Sequence, residues 1–262
     1  MTRSTTALNS ASSWRRILRK TAVAAIWLMV WYALYIIVKQ EILIVSPVRV
    51  LTRLFELMGE GGFWLSMGTS LLRIVAGFLA AVTTGTVIAI LSALSSFVRD
   101  LFLPVIRIVR AMPVASFIIL ALIWLNTGGV PVFTAFLMVF PVVWGNIYEG
   151  IRNTDHKLLE MAKVFRFPRR KVFSRIYVPS VMPYFIAACN NGIGLAWKAG
   201  IAAEVLGVPK NSIGTALYSA KIYLETADVF AWTAVVILLS FMLEKGFTLL
   251  LKRAGQKYNV RD

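Results

Sequence analysis

Apolar residues in this chain come in long runs cut by short polar or basic clusters, and the runs have the length of membrane spans. About 20 apolar residues in a helix cross about 30 Å of hydrocarbon, at about 1.5 Å of rise per residue. The first run, Thr21 to Val38, follows Arg15, Arg16, Arg19 and Lys20. A secretory signal peptide has the same order of charge and apolarity. This run, however, is long, carries Trp27, Trp31, Tyr32 and Tyr35, and has no small-residue cleavage site behind it, so an uncleaved span is the better reading. Pro47 to Met58 is different. Val50, Leu51, Leu54, Phe55 and Met58 recur at helical spacing with Arg49, Arg53 and Glu56 between them, which predicts an amphipathic helix along the outer interface.

The next run, Phe63 to Phe97, is too long for one straight span and contains Arg73. Its first turns are expected in the interface, with the span proper from about Ile74. Gly77, Ala80, Ala81, Gly85 and Ala89 give it a small-residue face for close helix packing. Leu101 to Leu125 follows, broken by Pro104 and Pro113, then a turn at Asn126-Thr127-Gly128-Gly129. Val130 to Ile147 is a fourth span, Tyr184 to Leu206 a fifth and Val229 to Leu251 a sixth, with an external loop expected over Gly207 to Asp228. Between the fourth and fifth lies Arg152 to Arg175, too charged to enter lipid. The pattern predicts an all-α polytopic membrane protein with about six transmembrane helices.

Composition agrees: 58% of the 262 residues are hydrophobic and only 15% charged, and mean hydropathy is +0.74. The net charge of +16 raises the question of nucleic acid. A nucleic-acid binder gathers its basic residues on a solvated face, whereas these punctuate apolar runs, and no nucleic-acid partner is expected. With the N-terminus inside, the inner segments hold nineteen Lys and Arg, eight of them between Arg152 and Arg175. The outer loops hold five, namely Lys39, Arg49, Arg53, Lys210 and Lys221. That asymmetry predicts cytoplasmic termini in a cell (inner or plasma) membrane. The expected organisation is a cytoplasmic tail over residues 1–20, a transmembrane domain over 21–251 with an inner loop at about 152–180, and a cytoplasmic tail over 252–262. Arg107 and Arg110 are expected to snorkel to the inner side.

The inner loop reads Glu160-Met161-Ala162, followed by Phe173, Ile176 and Pro179. It resembles the EAA loop of permease subunits of ATP-binding-cassette (ABC) importers, in which a Glu-Ala-Ala start leads to a Gly-containing turn, then a Phe and a closing Pro. Met161 replaces the second motif residue, and Arg166 stands where the pattern has Gly. Arginine in a left-handed turn costs on the order of 1 kcal/mol, and Pro168 offers another way to set the turn by starting a second helix. The segment from Arg107 to Pro113, followed by an apolar run and the Gly128-Gly129 turn, is similar to the third span of these permeases, and Ala196-Trp197-Lys198-Ala199-Gly200-Ile201-Ala202-Ala203-Glu204-Val205-Leu206-Gly207 is similar to the nitrate, taurine and aliphatic sulfonate branch of that superfamily.

The resemblance implies a type I importer permease fold, forming half of a pathway as a homodimer in membrane lipid. Its partners would be ABC ATPase subunits and an extracytoplasmic solute-binding protein, and its cargo a sulfonate, taurine or nitrate-like anion. It further implies that the loop folds as helix, turn and helix and docks in an ATPase cleft. Glu160, Met161, Ala162, Phe165, Arg166, Phe173 and Pro179 would be the ATPase-coupling residues, with Leu158 and Leu159 beside them on the docking face.

Further candidates lie in the fifth span. Lys198 and Glu204 are ionisable residues in an apolar run, so they either line a pathway or interface or sit near its outer end. Six residues apart, they do not face each other on a helix. Asn190 and Asn191 read better as helix-to-helix hydrogen bonders than as substrate contacts. Trp197 is counted with them, while Trp124, Trp144 and Trp232 are expected as interface anchors. The runner-up function is an ion-coupled secondary transporter, which would need its own intramembrane ion site. A membrane-embedded enzyme is the remoter alternative, since it would need a nucleophile with a base or a metal cluster and the chain has one histidine, His156, and one cysteine, Cys189. No cofactor or metal is expected, and no P-loop pattern is present, so ATP hydrolysis is assigned to a separate chain.

Overall fold

The computed structural model describes residues 5–256, with side-chain surroundings for residues 18–251. The outer parts of both expected tails, with Arg3, Lys257 and Arg261, lie outside the described residues. So do the side chains of Arg15, Arg16, Lys252 and Arg253. The described chain is helical: α1 (Thr5–Val38), α2 (Pro47–Met58), α3 (Gly61–Leu94), α4 (Ser96–Ala111), α5 (Val114–Trp124), α6 (Val130–Arg152), α7 (His156–Val164), α8 (Arg169–Val172), a π-helical turn (Phe173–Tyr177), α9 (Val178–Gly207), α10 (Ile213–Ile222) and α11 (Thr226–Gln256). Five helical stretches are long and apolar enough to cross a membrane, and six if α4 and α5 together count as one bent span. The chain is an all-α polytopic membrane protein.

Several boundaries move from the sequence expectation. From Thr5 onward the chain is helical without a break into the first span. Phe63 to Phe97 is a single helix through Leu94, with no break at Arg73. Pro104 sits inside α4 without ending it, because one lost backbone bond is tolerated within an otherwise bonded helix. The break comes at Pro113. Met112 before it is extended (ψ 137°), as a residue preceding proline is pushed to be, and the two helices meet at 110°. The expected external loop 207–228 contains α10.

Two compact units are distinguishable, Met1–Glu60 with Ser219–Thr233, and Gly61–Tyr218 with Ala234–Asp262. In the first, Ser46 caps α2 by accepting from the Arg49 amide at 3.2 Å, and Pro47 opens the helix. Val50 and Leu57 are buried while Leu51, Phe55 and Met58 are exposed. Arg53 forms a bidentate pair with Asp228, with Nε donating to Oδ1 at 2.5 Å and Nη2 to Oδ2 at 3.0 Å, and this hydrogen bonding raises the guanidinium pKa above its ordinary value. Trp31 donates to the Val45 carbonyl at 3.1 Å and stacks on Phe230. Around the α1 span none of the apolar window is buried.

The second unit is built on α6, which packs between α3 and α9. Ile74, Phe78 and Ala81 of α3, Val139, Val143 and Ile147 of α6, and Ala188, Ile193 and Trp197 of α9 are all buried. Close approach depends on Gly77, where a Cβ would collide with the Val132 carbonyl and lie 3.0 Å from the Ala135 Cβ. Gly77, Ala81, Gly85 and Ala89 are buried as the expected small-residue face, but Ala80 is exposed off that face. Trp144 and Trp232 are buried rather than interface anchors. The Trp144 indole donates to Ser92 Oγ at 3.1 Å, whereas Trp124 is 72% exposed.

Candidate functional site

The inner loop is a compact device assembled from local signals. Asp155 stands at the N-cap of α7, its carboxylate accepting from the Lys157 amide at 2.8 Å, which satisfies an orphan helix donor and suits the macrodipole. At the other end the Arg166 amide donates to the Lys163 carbonyl at 3.1 Å and the Phe167 amide to the Ala162 carbonyl at 2.9 Å. That pair of bonds is the Schellman ending, which requires a left-handed residue between cap and exit. Arg166 occupies that place with φ 49°. Arginine therefore takes the backbone conformation for which glycine is suited. Pro168 then caps the start of α8, so it adds to the left-handed turn rather than replacing it.

The faces of α7 divide cleanly. Leu158, Met161 and Phe165, at i, i+3 and i+7, are exposed together with Val164, a stripe one helix wide. Ala162 is only 3% exposed, covered by its own chain. Ala162 thus faces inward, while Val164 stands among the exposed apolar residues; Leu159 is half-buried and Glu160 exposed. Phe173 is exposed at the start of the π-helical turn, and Pro179 lies in the first turn of α9. The turn continues without interruption into α9, so that Arg169–Gly207 forms one 39-residue helical stretch. Phe173 and Tyr177 border an apolar cavity of about 480 Å³, whose other walls include Ile90 of α3, Ile147 of α6 and Phe185 of α9.

Residues proposed from the fifth span fall into different surroundings. Asn190 accepts from the Thr248 hydroxyl at 3.1 Å, in keeping with a helix-to-helix role, while Asn191 and Lys198 are exposed. Trp197 is buried and donates to the Val236 carbonyl at 3.0 Å. Glu204 is fully buried. Its Oε2 accepts from Ser70 Oγ at 2.7 Å and from the Gly214 amide at 3.2 Å, and Ser70 Oγ in turn accepts from the Ile213 amide at 2.9 Å. Arg73 Nη1 stands 3.8 Å from Glu204 Oε1, and Arg73 Nη2 donates to the Lys210 carbonyl at 3.1 Å. Thr69 donates to the Asn211 carbonyl. This network ties α3 to the connection between α9 and α10.

Sequence reasoning missed Ser70 and Arg73 as partners of Glu204. The available signal was a lone cation and a lone carboxylate, each stranded in an apolar run, since such groups seek one another.

The family described as "Binding-protein-dependent transport system inner membrane component" matches residues 81–254, well over half of the chain. The chain belongs to that family. The match runs from the middle of α3 into α11 and takes in the inner loop, the π-helical turn and Glu204. Among relatives of this inner membrane component, the taurine transport system permease protein of Escherichia coli K12 is 26% identical over 246 residues, covering 91% of this chain and 89% of that protein. A putative aliphatic sulfonates transport permease protein of Bacillus subtilis is 26% identical, covering 81% of this chain and 77% of that one. A nitrate import permease protein of Synechocystis is 27% identical, covering 73% and 72%. A crystal structure of an amino acid ABC transporter with histidines shares the fold, with a TM-score of 0.55 at 17% identity over 74% of this chain and 94% of that one. This inner membrane component is thus a transport subunit rather than an enzyme.

Proposed function

We propose that this chain is the membrane-spanning permease subunit of an ABC importer, and that α7 is its docking element for an ATPase subunit. The observation that carries the reading is the exposed stripe of Leu158, Met161, Val164 and Phe165 on a short helix pinned at both ends. An apolar stripe on a strongly basic loop has no use in water and suits the cleft of a partner. Glu160 and the loop's Lys and Arg residues supply a charged rim. Arg166 holds the turn, and Phe173 and Pro179 pass loop movement into α9. Two copies of the chain would enclose the pathway, with Asn191 and Lys198, exposed on α9, as candidates for its lining or for the interface. Both termini and the loop face the cytoplasm in this reading, residues 1–20 and 252–262 are the cytoplasmic tails, and an extracytoplasmic binding protein delivers the solute. The names of the taurine, sulfonate and nitrate relatives support a small anion as cargo.

The test is Met161→Arg in the full complex. Exposed in this chain, Met161 tolerates arginine without harm to the fold, but a charge buried unpaired in an interface costs about 3–5 kcal/mol. The ATPase should no longer co-purify and uptake should cease, while membrane insertion persists. Undiminished co-purification and uptake would leave the loop as a topology signal only.

A further inference from the structure

The C-terminal half of α6 carries a polar face that the coupling argument does not use. Asn146, Glu149, Arg152 and Asn153 follow one another at helical spacing, and Arg110 of α4 reaches across to them. Together with Tyr148 they line a cavity of about 520 Å³. A membrane helix does not turn such a face to hydrocarbon; it turns it to a water-filled path or a partner. The cavity lies at the end of α6 that leads, through Asp155, into the docking helix.

Its cations are held in place. Arg110 Nη2 donates to the Pro141 carbonyl at 2.7 Å. It lies against the α6 backbone at Gly145, where a Cβ would stand 2.6 Å from that same nitrogen and the exposed guanidinium would have to shift. Arg152 lies 5.9 Å above the centre of the Tyr148 ring, and Tyr148 is itself stacked parallel on Trp144. Asn146 and Asn153 each spend one amide donor within the protein, on the Val142 carbonyl and the Tyr184 hydroxyl. Among the described residues neither guanidinium has a carboxylate within ion-pair distance, and Glu149 has no cation within it.

We propose that this cavity is a binding site for a small monovalent oxyanion, with Arg110 and Arg152 as charge-assisted donors and the Asn146 and Asn153 amides at its sides. Two guanidiniums against one carboxylate leave a single positive charge, and Glu149 repels a second negative charge, so the site favours monoanions such as sulfonates or nitrate over sulfate. That the anion is the transported solute at the inner end of its path rests on the permease reading; the binding itself does not. A phospholipid phosphodiester has the same chemistry and is the other possible source.

The experiment is calorimetric titration of the full-length chain, purified in an uncharged maltoside detergent at constant ionic strength, with methanesulfonate as the probe. Saturable binding is expected. Arg110→Gln and Arg152→Gln, each removing one of the two guanidiniums, should each weaken it by about tenfold or more. Arg107→Gln, a charge removed from the same helix outside the cavity, should leave it unchanged. Glu149→Gln should narrow the preference over sulfate several-fold. Arg152→Gln, at an exposed position, keeps the test decisive if Arg110→Gln fails to fold. Absence of saturable binding, or equal weakening by Arg107→Gln, overturns the site. If phosphatidylglycerol binds, is lost in the same variants, and cannot be displaced by methanesulfonate, the site is a lipid headgroup site and the proposal falls as stated. No ATPase or binding protein enters the assay, so its result is independent of whether the Met161→Arg experiment supports the importer reading.

Discussion

Replacing Arg166 with glycine isolates the energetic consequence of one backbone angle. At φ 49° an L-residue brings its Cβ against the following carbonyl, at about 1–2 kcal/mol. Glycine removes that clash but adds about 0.4–1 kcal/mol of disorder to the open chain. The balance is a gain of about 0.5–1 kcal/mol for closing the turn, or roughly a two- to fivefold shift in the local opening equilibrium. The reporters are the two amides whose bonds define the turn, those of residues 166 and 167, bonded at 3.1 and 2.9 Å to Lys163 and Ala162. Hydrogen exchange of the 156–167 peptide, corrected for intrinsic rates, should slow by that factor in Arg166→Gly. Arg166→Val, β-branched and ill-suited to positive φ, should exchange faster than the parent. If Arg166→Gly instead exchanges faster, the long side chain and not the backbone holds the turn, and the argument from φ is wrong. The same variant separates structure from partnership. On the importer reading proposed above, a loop that closes more firmly yet binds an ATPase subunit less well would show that the Arg166 side chain contacts that subunit.

Gly77→Ala should destabilise the second unit by about 1–3 kcal/mol, because a Cβ there meets the Val132 carbonyl. Ala80→Leu, on the same helix but exposed, should change stability by no more than about 0.5 kcal/mol. Thermal unfolding in detergent compares them, and equal effects would refute the packing argument. Ser70→Ala should cost about 1–3 kcal/mol by stripping one bond from buried Glu204 and leaving the Ile213 amide unpaired. Faster proteolysis or hydrogen exchange over residues 207–214 is the readout, and protection equal to the parent would show that the network does not pin that connection.

What could be read from sequence was mostly what local chemistry decides. The bounds of α2 follow from Ser46 and Pro47, whose capping and N1 preferences act within one turn. The break at Pro113 was legible for the same reason, but its 110° angle was not, because the angle is set by what α4 and α5 pack against. The pairing of Arg73 with Glu204 is not legible, since the carboxylate lies 131 positions away and no local pattern announces it. The burial of Ala162 depends on how α7 folds back, which the motif alone does not tell. Helix α10 was hidden inside a stretch opened by Gly207 and Pro209, which reads as loop until Ser212 and the Glu204 network fix its start.

The π-helical turn at Phe173–Tyr177 has a bearing on how such a protein can vary. A wide turn accommodates one residue more than an α-turn over the same rise. In an ordinary α-helix a single insertion or deletion swings everything on one side of it by about 100° about the axis. Here that residue can be lost by exchanging a wide turn for a narrow one, with the azimuths on both sides kept. The segment between α7 and α9 therefore tolerates the loss of one residue, while the equivalent change in α7 or within α9 would swing the exposed stripe of α7 about its axis or turn Glu204 away from Ser70.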